Sequence, residues 1–257
     1  MRTSVLRTSA LRPMSRPRPA ARALCVAAAL ISFAAPVSAQ SVEDVLARHF
    51  EALGGVEAWQ SMKTTRSIGT LTLMGGAAQG EITSTAMRPA MLRADIVVQG
   101  QTVIQAFDGE TGWLVNPFAG SATPQPADAA TTAAMIEQAD IDGPLIGWKE
   151  DGHTIELAGT ETVDGVEAYR LEVTLRTGAA STYFIDASSY LVIRVQADRD
   201  LTGPTTTDMS DYRDVSGLMM PFAVSSTSAQ GDQSVVWQTI EVDVDLDESS
   251  FTMPGGS

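Results

Sequence analysis

Histidine and cysteine, which supply most catalytic bases, nucleophiles and transition-metal ligands, are nearly absent from this chain. Among 257 residues there are two histidines, His49 and His153, and one cysteine, Cys25. The histidines are far apart in sequence, and neither has an imidazole or carboxylate at the spacing of a metal site. His49 belongs to an apolar helical pattern, so we interpret it as a hydrogen-bonded core residue. We therefore expect no metal site.

A run of carboxylates near the C-terminus resembles the first half of a calcium loop. The run is Asp243-Val244-Asp245-Leu246-Asp247-Glu248. An EF-hand loop needs glycine at its sixth position and glutamate at its twelfth, but these positions are Glu248 and Pro254 here. We interpret the acids instead as the solvated face of a terminal strand, where charge discourages aggregation between sheet edges.

Motifs for nucleophilic catalysis and phosphate binding are also missing. The chain has no Gly-x-Ser-x-Gly elbow to expose a serine nucleophile. Its glycine pairs, Gly54-Gly55 and Gly75-Gly76, lack the lysine and the helix context of a phosphate loop. A secreted hydrolase with paired carboxylates is an alternative, but no carboxylates occur at a spacing that supports it. We predict a protein that is not an enzyme, with no catalytic residue and no cofactor.

A protein that binds an apolar ligand without a chemical step needs an apolar cavity. Nine large apolar side chains are the candidates for the lining of this cavity. The four tryptophans fall in different predicted elements and would converge if helices covered a sheet. Ordinary core anchoring is the alternative for each of them. The candidates are Trp59, Trp113, Trp148, Trp237, Phe107, Leu171, Val173, Met135 and Ile136.

The elements that must position these side chains begin with a short helical region. Ser41 with Asp44 three residues later is an N-cap pattern, and apolar residues recur at helical spacing over Val42 to Leu53. Gly54-Gly55 ends this helix. A second short helical turn follows over Val56 to Met62.

A long series of strands follows the helices. Over Ala168 to Arg176, apolar and polar residues alternate, which is typical of a strand with one face buried. Turn signals such as Asp108-Gly109 and Asp164-Gly165 recur at short intervals. The pattern predicts a mainly β (α+β) protein whose antiparallel meander of about ten or more strands curls into a barrel or half-barrel. Similar alternation occurs at Leu191, Ile193 and Val195, and at Val236, Ile240, Val242 and Val244.

Region 117–152 interrupts the strand pattern. It contains Pro124 and Pro126, then an alanine-rich stretch over 128–139, and we interpret it as a loop and one helix that lie over the sheet. Residues 64–86 are rich in threonine, serine, glycine and alanine, which predicts a thin sheet with space for a ligand. Close packing of helix against sheet is the alternative explanation for these small residues.

The first 39 residues have the pattern of an export signal. Six arginines precede the apolar stretch Ala23 to Ala35 and the small-residue site Val37-Ser38-Ala39. This apolar stretch is shorter than the ~20 residues that a transmembrane helix needs, so a cleaved signal is favoured over an anchor. Cleavage after Ala39 would remove Cys25 and leave one exported domain, 40–257, without a disulfide.

The rest of the chain is strongly acidic. All 31 acidic residues but only 11 of the 17 basic residues lie beyond residue 39, because six arginines belong to the signal. Such a surface repels nucleic acids and anionic membranes. We expect a monomer with no nucleic-acid partner and no transmembrane segment once the signal is removed.

Several short motifs resemble periplasmic proteins related to the outer-membrane lipoprotein carrier LolA. The similarity extends over Val42 to Pro254 and is carried by turn residues and their neighbours. The motifs are the DG..GW hairpin Asp108-Gly109-Glu110-Thr111-Gly112-Trp113, the segment Ile141-Asp142-Gly143-Pro144-Leu145, the segment Gly159 to Gly165 before Tyr169, and Tyr183-Phe184-Ile185-Asp186 followed by Tyr190-Leu191.

This resemblance implies a half-open antiparallel barrel with a helical lid over a hydrophobic cavity that carries acyl chains through the periplasm. It also implies a cavity arginine, for which Arg66, Arg88 and Arg93 are the candidates. The implied partners are an acyl lipid or a lipoprotein, and a membrane-bound donor or acceptor protein. The expected function is lipid or lipoprotein transport in outer-membrane lipoprotein sorting. The alternative is an envelope lipid sensor of the same fold that acts through protein contacts.

Overall fold

Thirteen antiparallel strands form one sheet in the computed structural model, which describes residues 40–199 and 203–255. The predicted signal peptide lies outside the described residues, which all belong to one compact unit. The helices are α1 (Val42–Ala52), α2 (Val56–Ser61) and α3 (Ala129–Ala139). The strands are β1 (Thr64–Leu73), β2 (Ala78–Met87), β3 (Met91–Val98), β4 (Gln101–Phe107), β5 (Gly112–Asn116), β6 (Ser121–Pro126), β7 (Thr154–Val163), β8 (Val166–Thr174), β9 (Ala180–Asp186), β10 (Val192–Arg199), β11 (Gly203–Val215), β12 (Leu218–Ser228) and β13 (Gly231–Val242).

The strand order explains why one connection must cross the sheet. The order is β6-β5-β4-β3-β2-β1-β13-β12-β11-β10-β9-β8-β7, so consecutive strands are neighbours except β6 and β7, which form the two edges. After β6 the chain therefore passes first through α3 and then through residues 140–153 before it enters β7. Residues 140–153 are here called the crossing segment. The mainly β half-barrel with helical cover that the sequence predicted is confirmed.

Helix α1 forms where the sequence predicts it. The side chain of Ser41 accepts a hydrogen bond from the Asp44 backbone N–H (3.1 Å), and the Asp44 carboxylate accepts one from the Ser41 backbone (3.2 Å). This reciprocal capping box satisfies two backbone donors at the start of the helix. Val45 and Leu46 are buried against the β7 to β10 part of the sheet, in a cluster that includes Leu171.

The three helices cover the same face of the sheet, which we call the inner face. Helix α1 packs on side chains of β7 to β10, and α3 packs with Phe107 at the other end of the sheet. Next to α2, Met62 packs with Val242, whose partner in the neighbouring strand is Thr65. Because side chains alternate between faces along a strand, the cross-strand partners assign the remaining inner positions.

One part of region 117–152 differs from the predicted loop. Residues Ser121–Pro126 form β6, which pairs with β5. Pro124 and Pro126 are tolerated because β6 is an edge strand, where a missing N–H donor removes no bond to a further strand. Helix α3 then begins at its N-cap Asp128, whose carboxylate accepts a hydrogen bond from the Thr131 N–H at 2.7 Å.

Two strands depart from simple alternation. A register shift in β10 between Val192 and Arg194 leaves Val192 and Val195 in the core beneath α1. Ile193 instead packs with Phe184 on the opposite, outer face. In β13 a shift opposite Ile68 and Gly69 separates Val236, which is half exposed, from Ile240 in the inner face. A bulge adds one residue and thereby changes which face the next side chains occupy.

The chain ends by crossing the outer face. After β13, residues 243–255, here called the C-terminal segment, run past β1, β3 and β5 rather than forming the predicted terminal strand. Thr64 Oγ1 donates to the Val244 carbonyl (2.6 Å), and Trp113 Nε1 donates to the carbonyl of the fully buried Phe251 (2.7 Å). Asp243 accepts from the Lys63 N–H at 2.8 Å. Among the described residues, no acidic or histidine cluster could hold a metal ion.

Candidate ligand-binding face

The inner face between α1 and α3 carries apolar side chains together with hydroxyl, amide and glycine positions. On β1, β2 and β3, Leu71, Ile82 and Val98 are 6%, 8% and 7% exposed. Their strand neighbours on the same face include half-buried side chains that still contact solvent. These are Ile96, Val103, Val224, Val235 and Trp237. Covering partly hydrated apolar surface with a hydrocarbon is favourable, because it removes that surface from water.

Two glycines let neighbouring side chains lie close to this face. A Cβ atom on Gly69 would lie 2.7 Å from the Trp237 ring, and one on Gly80 would lie 2.6 Å from Val98 Cγ2. Both glycines have ordinary strand torsions, so their role is spacing and not unusual backbone geometry. Trp237 and Val98 therefore lie directly over the backbone of β1 and β2.

The charged side chains of seven adjacent strands all lie on one face of the sheet. From β5 through β4, β3, β2, β1 and β13 to β12, the register places each charged residue on the outer face and none on the inner face. The outer-face charges are Arg66, Glu81, Arg93, Asp95, Asp232 and Glu241.

The crossing segment is attached to the sheet at its first residues. Arg88, which follows β2, makes two hydrogen bonds with Asp142, at 2.6 and 2.7 Å. It also donates to the carbonyls of Met62 (2.7 Å) and Trp59 (3.2 Å). Trp59 Nε1 in turn donates to the Ile141 carbonyl (3.0 Å). The hydrogen bond to Asp142 raises the pKa of Arg88, because it stabilises the charged guanidinium.

The last residues of the crossing segment pack against α1. Leu145 is buried in the cluster that contains Val45, and Trp148 packs at its margin. Lys149 Nζ lies 2.8 Å from the Glu43 carboxylate and 4.8 Å from the centre of the Trp148 ring. The crossing segment thus joins the α2 end of the inner face to the α1 end.

Comparison with solved structures identifies the architecture. A DUF1329 family protein from Desulfovibrio piger is 13% identical with a TM-score of 0.56, over 83% of this chain and 98% of that one. A LolA superfamily protein from Nitrosomonas europaea gives 13% and 0.54 over 83% and 98%. The fold is LolA-like. A putative outer membrane lipoprotein-sorting protein domain from Vibrio parahaemolyticus gives 10% and 0.53 over 80% and 95%. No family model and no curated protein matches the sequence.

Within this LolA-like fold, the structure separates the nine predicted lining residues. Leu171 and Val173 are buried beneath α1, and Phe107 is buried against Met135, which belongs to α3, so these four are core residues. Ile136, in contrast, is half exposed on α3.

The four tryptophans do not converge. Trp113 is on the outer face, beneath the C-terminal segment, and so differs from the predicted lining position. Trp59 and Trp148 hold the two ends of the crossing segment. Trp237 alone among the four lies over the sheet between the helices on the inner face. The sequence signal for the position of Trp237 was Gly69, because a glycine inside a strand often marks a place where another group lies close to the backbone.

The three candidates for a cavity arginine are likewise separated. Arg66 and Arg93 project from the outer face, where Arg93 binds Asp95 and the Ser250 carbonyl. Arg88 alone borders the inner face. Its partner Asp142 could not be found from sequence, since no local pattern joins the two residues.

Two shallow grooves lie outside the apolar inner face. One of about 470 Å³ is next to α1, where Arg48 donates to the Tyr190 hydroxyl at 2.9 Å. Beneath it His49 is buried, its Nδ1 2.7 Å from the Tyr190 carbonyl, and burial lowers the pKa of His49. The other, of about 320 Å³, is lined by Gly69, Thr70, Gln79, Gly80, Glu81 and Gln238. Neither groove has the apolar lining that an acyl chain requires.

Among residues 40–199 and 203–255, no helix combines the length and the apolar character needed to cross a bilayer.

Proposed function

We propose that this protein is a periplasmic carrier that binds the acyl chains of a lipid or lipoprotein and acts in outer-membrane lipoprotein sorting. The observation that carries the proposal is the apolar inner face between α1 and α3, which includes Leu71, Val98 and Trp237. The LolA-like fold supports it, because one solved neighbour is described as a putative lipoprotein-sorting domain.

Binding by this face needs no chemical step. Each acyl methylene that leaves water contributes about 0.8 kcal/mol, so ten contacting methylenes would contribute about 8 kcal/mol before ordering costs. The crossing segment bounds the inner face at both ends, through Asp142 and Lys149. In our proposal, breaking the Arg88 to Asp142 pair frees this segment and lets the ligand enter or leave.

Export completes the proposal. Cleavage after Ala39 would release one domain that begins at Gln40 and acts as a monomer. Such a carrier would take its cargo from a membrane-bound donor and deliver it to an acceptor. Its acidic surface would limit adsorption to anionic membranes between these two encounters.

Native mass spectrometry of the mature protein, purified from periplasm without detergent, tests the proposal. We expect a stoichiometric acyl lipid or lipoprotein that lipid extraction then identifies. An empty protein that also fails to bind added lipid would contradict a carrier function. An empty protein that captures an envelope protein only when lipid is added would support the sensor alternative.

Two substitutions on β3 give a matched control. Ile96 and Val97 are adjacent, but Ile96 is on the inner face and Val97, 42% exposed, is on the outer face. Ile96→Asp should abolish lipid binding, whereas Val97→Asp should retain it. Circular dichroism and thermal unfolding of both variants verify that each is folded. Equal binding by both variants would exclude the inner face as the binding site.

A further inference from the structure

The ligand-binding face has a property that constrains the polar part of its ligand. Across β5, β4, β3, β2, β1, β13 and β12 the inner face offers only apolar, hydroxyl, amide and glycine positions. An acyl chain suits such a surface, but most membrane lipids also carry a charged headgroup. The position of the cations therefore decides which headgroups this protein can accept.

Three cations that border the inner face are engaged by carboxylates while the crossing segment is in place. Arg88 is bound by Asp142 at one end of the crossing segment, and Lys149 is bound by Glu43 at the other. Arg213, which lies 4.4 Å from the centre of the Phe222 ring, is paired with Asp211. No unpaired cation in the described part of these seven strands faces inward.

We propose that the ligand of this face carries its acyl chains on an uncharged group, and that anionic headgroups are rejected. An anionic phosphate or carboxylate that enters would lose hydration without gaining a counterion, which is costly. The excess of acidic residues beyond residue 39 adds repulsion over a longer range. This inference rests on the proposed function and names the substrate class of the same site.

Two kinds of ligand could carry acyl chains on such an uncharged group: a free neutral glyceride and the lipid part of an acylated polypeptide. Titration of delipidated mature protein with three probes separates them: dioctanoylglycerol, dioctanoyl-phosphatidylglycerol, and a diacylglyceryl-cysteine peptide with blocked, uncharged termini. We expect at least one neutral probe to bind about tenfold or more tightly than phosphatidylglycerol. The stronger of the two neutral probes identifies the source.

A paired substitution on β4 tests the electrostatic cause. Gln105 and Thr102 are both exposed, but Gln105 is on the inner face and Thr102 is on the outer face. Gln105→Lys supplies the missing counterion, so it should strengthen phosphatidylglycerol binding relative to dioctanoylglycerol binding by about fivefold or more. Thr102→Lys changes the net charge equally and should have little effect on either probe.

The outcomes separate this inference from the proposed function. If phosphatidylglycerol binds wild-type protein as tightly as the neutral probes, the headgroup inference is wrong and the carrier proposal stands. An equal gain in phosphatidylglycerol binding from Thr102→Lys would also overturn it, since net charge alone would then explain selectivity. If no probe binds, the proposed function itself fails.

Discussion

Arg88 and Asp142 form a bidentate ion pair that joins the end of β2 to the crossing segment. Arg88 Nη1 lies 2.6 Å from Asp142 Oδ2, and Nη2 lies 2.7 Å from Oδ1. The guanidinium also donates from Nε to the Met62 carbonyl at 2.7 Å. One side chain therefore fixes the relative positions of β2, the residue after α2, and the first residues of the crossing segment.

Asp142→Asn should loosen this attachment. The variant removes one charge while Arg88 stays partly buried, so the free energy of unfolding should fall by about 1 to 3 kcal/mol. Amide hydrogen exchange in residues 140–153 should accelerate, and any bound lipid should dissociate faster. Glu43→Gln is the control, because the Lys149 to Glu43 pair has side chains 55% and 60% exposed and should contribute less than about 1 kcal/mol. Equal effects of the two variants would contradict a special role for Arg88.

Ligand binding should be reported by Trp237 and not by Trp113. Trp237 lies over Gly69 on the inner face, whereas Trp113 is 1% exposed beneath the C-terminal segment. In variants whose single tryptophan is either Trp237 or Trp113, a brominated acyl lipid should quench the fluorescence of Trp237 and leave the fluorescence of Trp113 unchanged. Quenching of Trp113 would place the ligand on the other face of the sheet.

Substitution of the same two tryptophans should separate binding from stability. Trp113→Phe loses the hydrogen bond to the Phe251 carbonyl and buried volume, so unfolding free energy should fall by about 2 to 4 kcal/mol with binding intact. Trp237→Ala should weaken lipid binding and cost less stability. Denaturant unfolding and lipid titration of both variants measure the two effects. The reverse assignment would refute the placement of the ligand on the inner face.

Gly80→Ala should be strongly destabilising. The added Cβ would lie 2.3 Å from the Val97 carbonyl oxygen and 2.6 Å from Val98 Cγ2, so the backbone of β2 and β3 would have to separate. Overpacking of this kind costs about 1 to 3 kcal/mol. Gly112→Ala is the comparison, since its nearest obstacle is the flexible Met135 Sδ at 2.8 Å and a smaller loss is expected. Thermal unfolding of both variants tests this order, which would be wrong if Gly112→Ala were the more damaging.

Folding stability should decrease in acid because of His49. Burial lowers its pKa, and the neutral ring donates from Nδ1 to the Tyr190 carbonyl. The unfolded chain takes up a proton as pH falls below about 6.5, while the folded state resists protonation down to its lowered pKa. The contribution of His49 is therefore complete above this pH and declines as pH falls, by up to about 1.4 kcal/mol per pH unit.

Denaturant unfolding at pH 8 and pH 5 measures this dependence. The difference between the two values should be smaller in His49→Gln than in wild-type protein. His153→Gln removes the other of the two histidines and controls for the loss of an imidazole. If His49→Gln and wild-type protein lost equal stability in acid, carboxylates alone would account for the pH dependence.

Much of the fold could be predicted from the sequence because its signals are local. The capping box at Ser41 and Asp44 is made between residues three apart, so it is visible in the sequence and present in the structure. Alternation in β8 is equally local, because successive side chains of a strand point to opposite faces. Turn residues such as Asp164-Gly165 then joined these strands into a meander, which predicted the antiparallel half-barrel.

Only the tertiary structure decided which side chains lie on the inner face. The bulge in β13 sets the faces of Val236 and Ile240, and the C-terminal segment encloses Trp113 while Trp237 stays on the inner face. The pairing of Arg88 with Asp142 likewise depends on the path from β6 to β7 across the sheet. Register and long-range contacts depend on the free energy of the whole packed sheet, so no local pattern determines them.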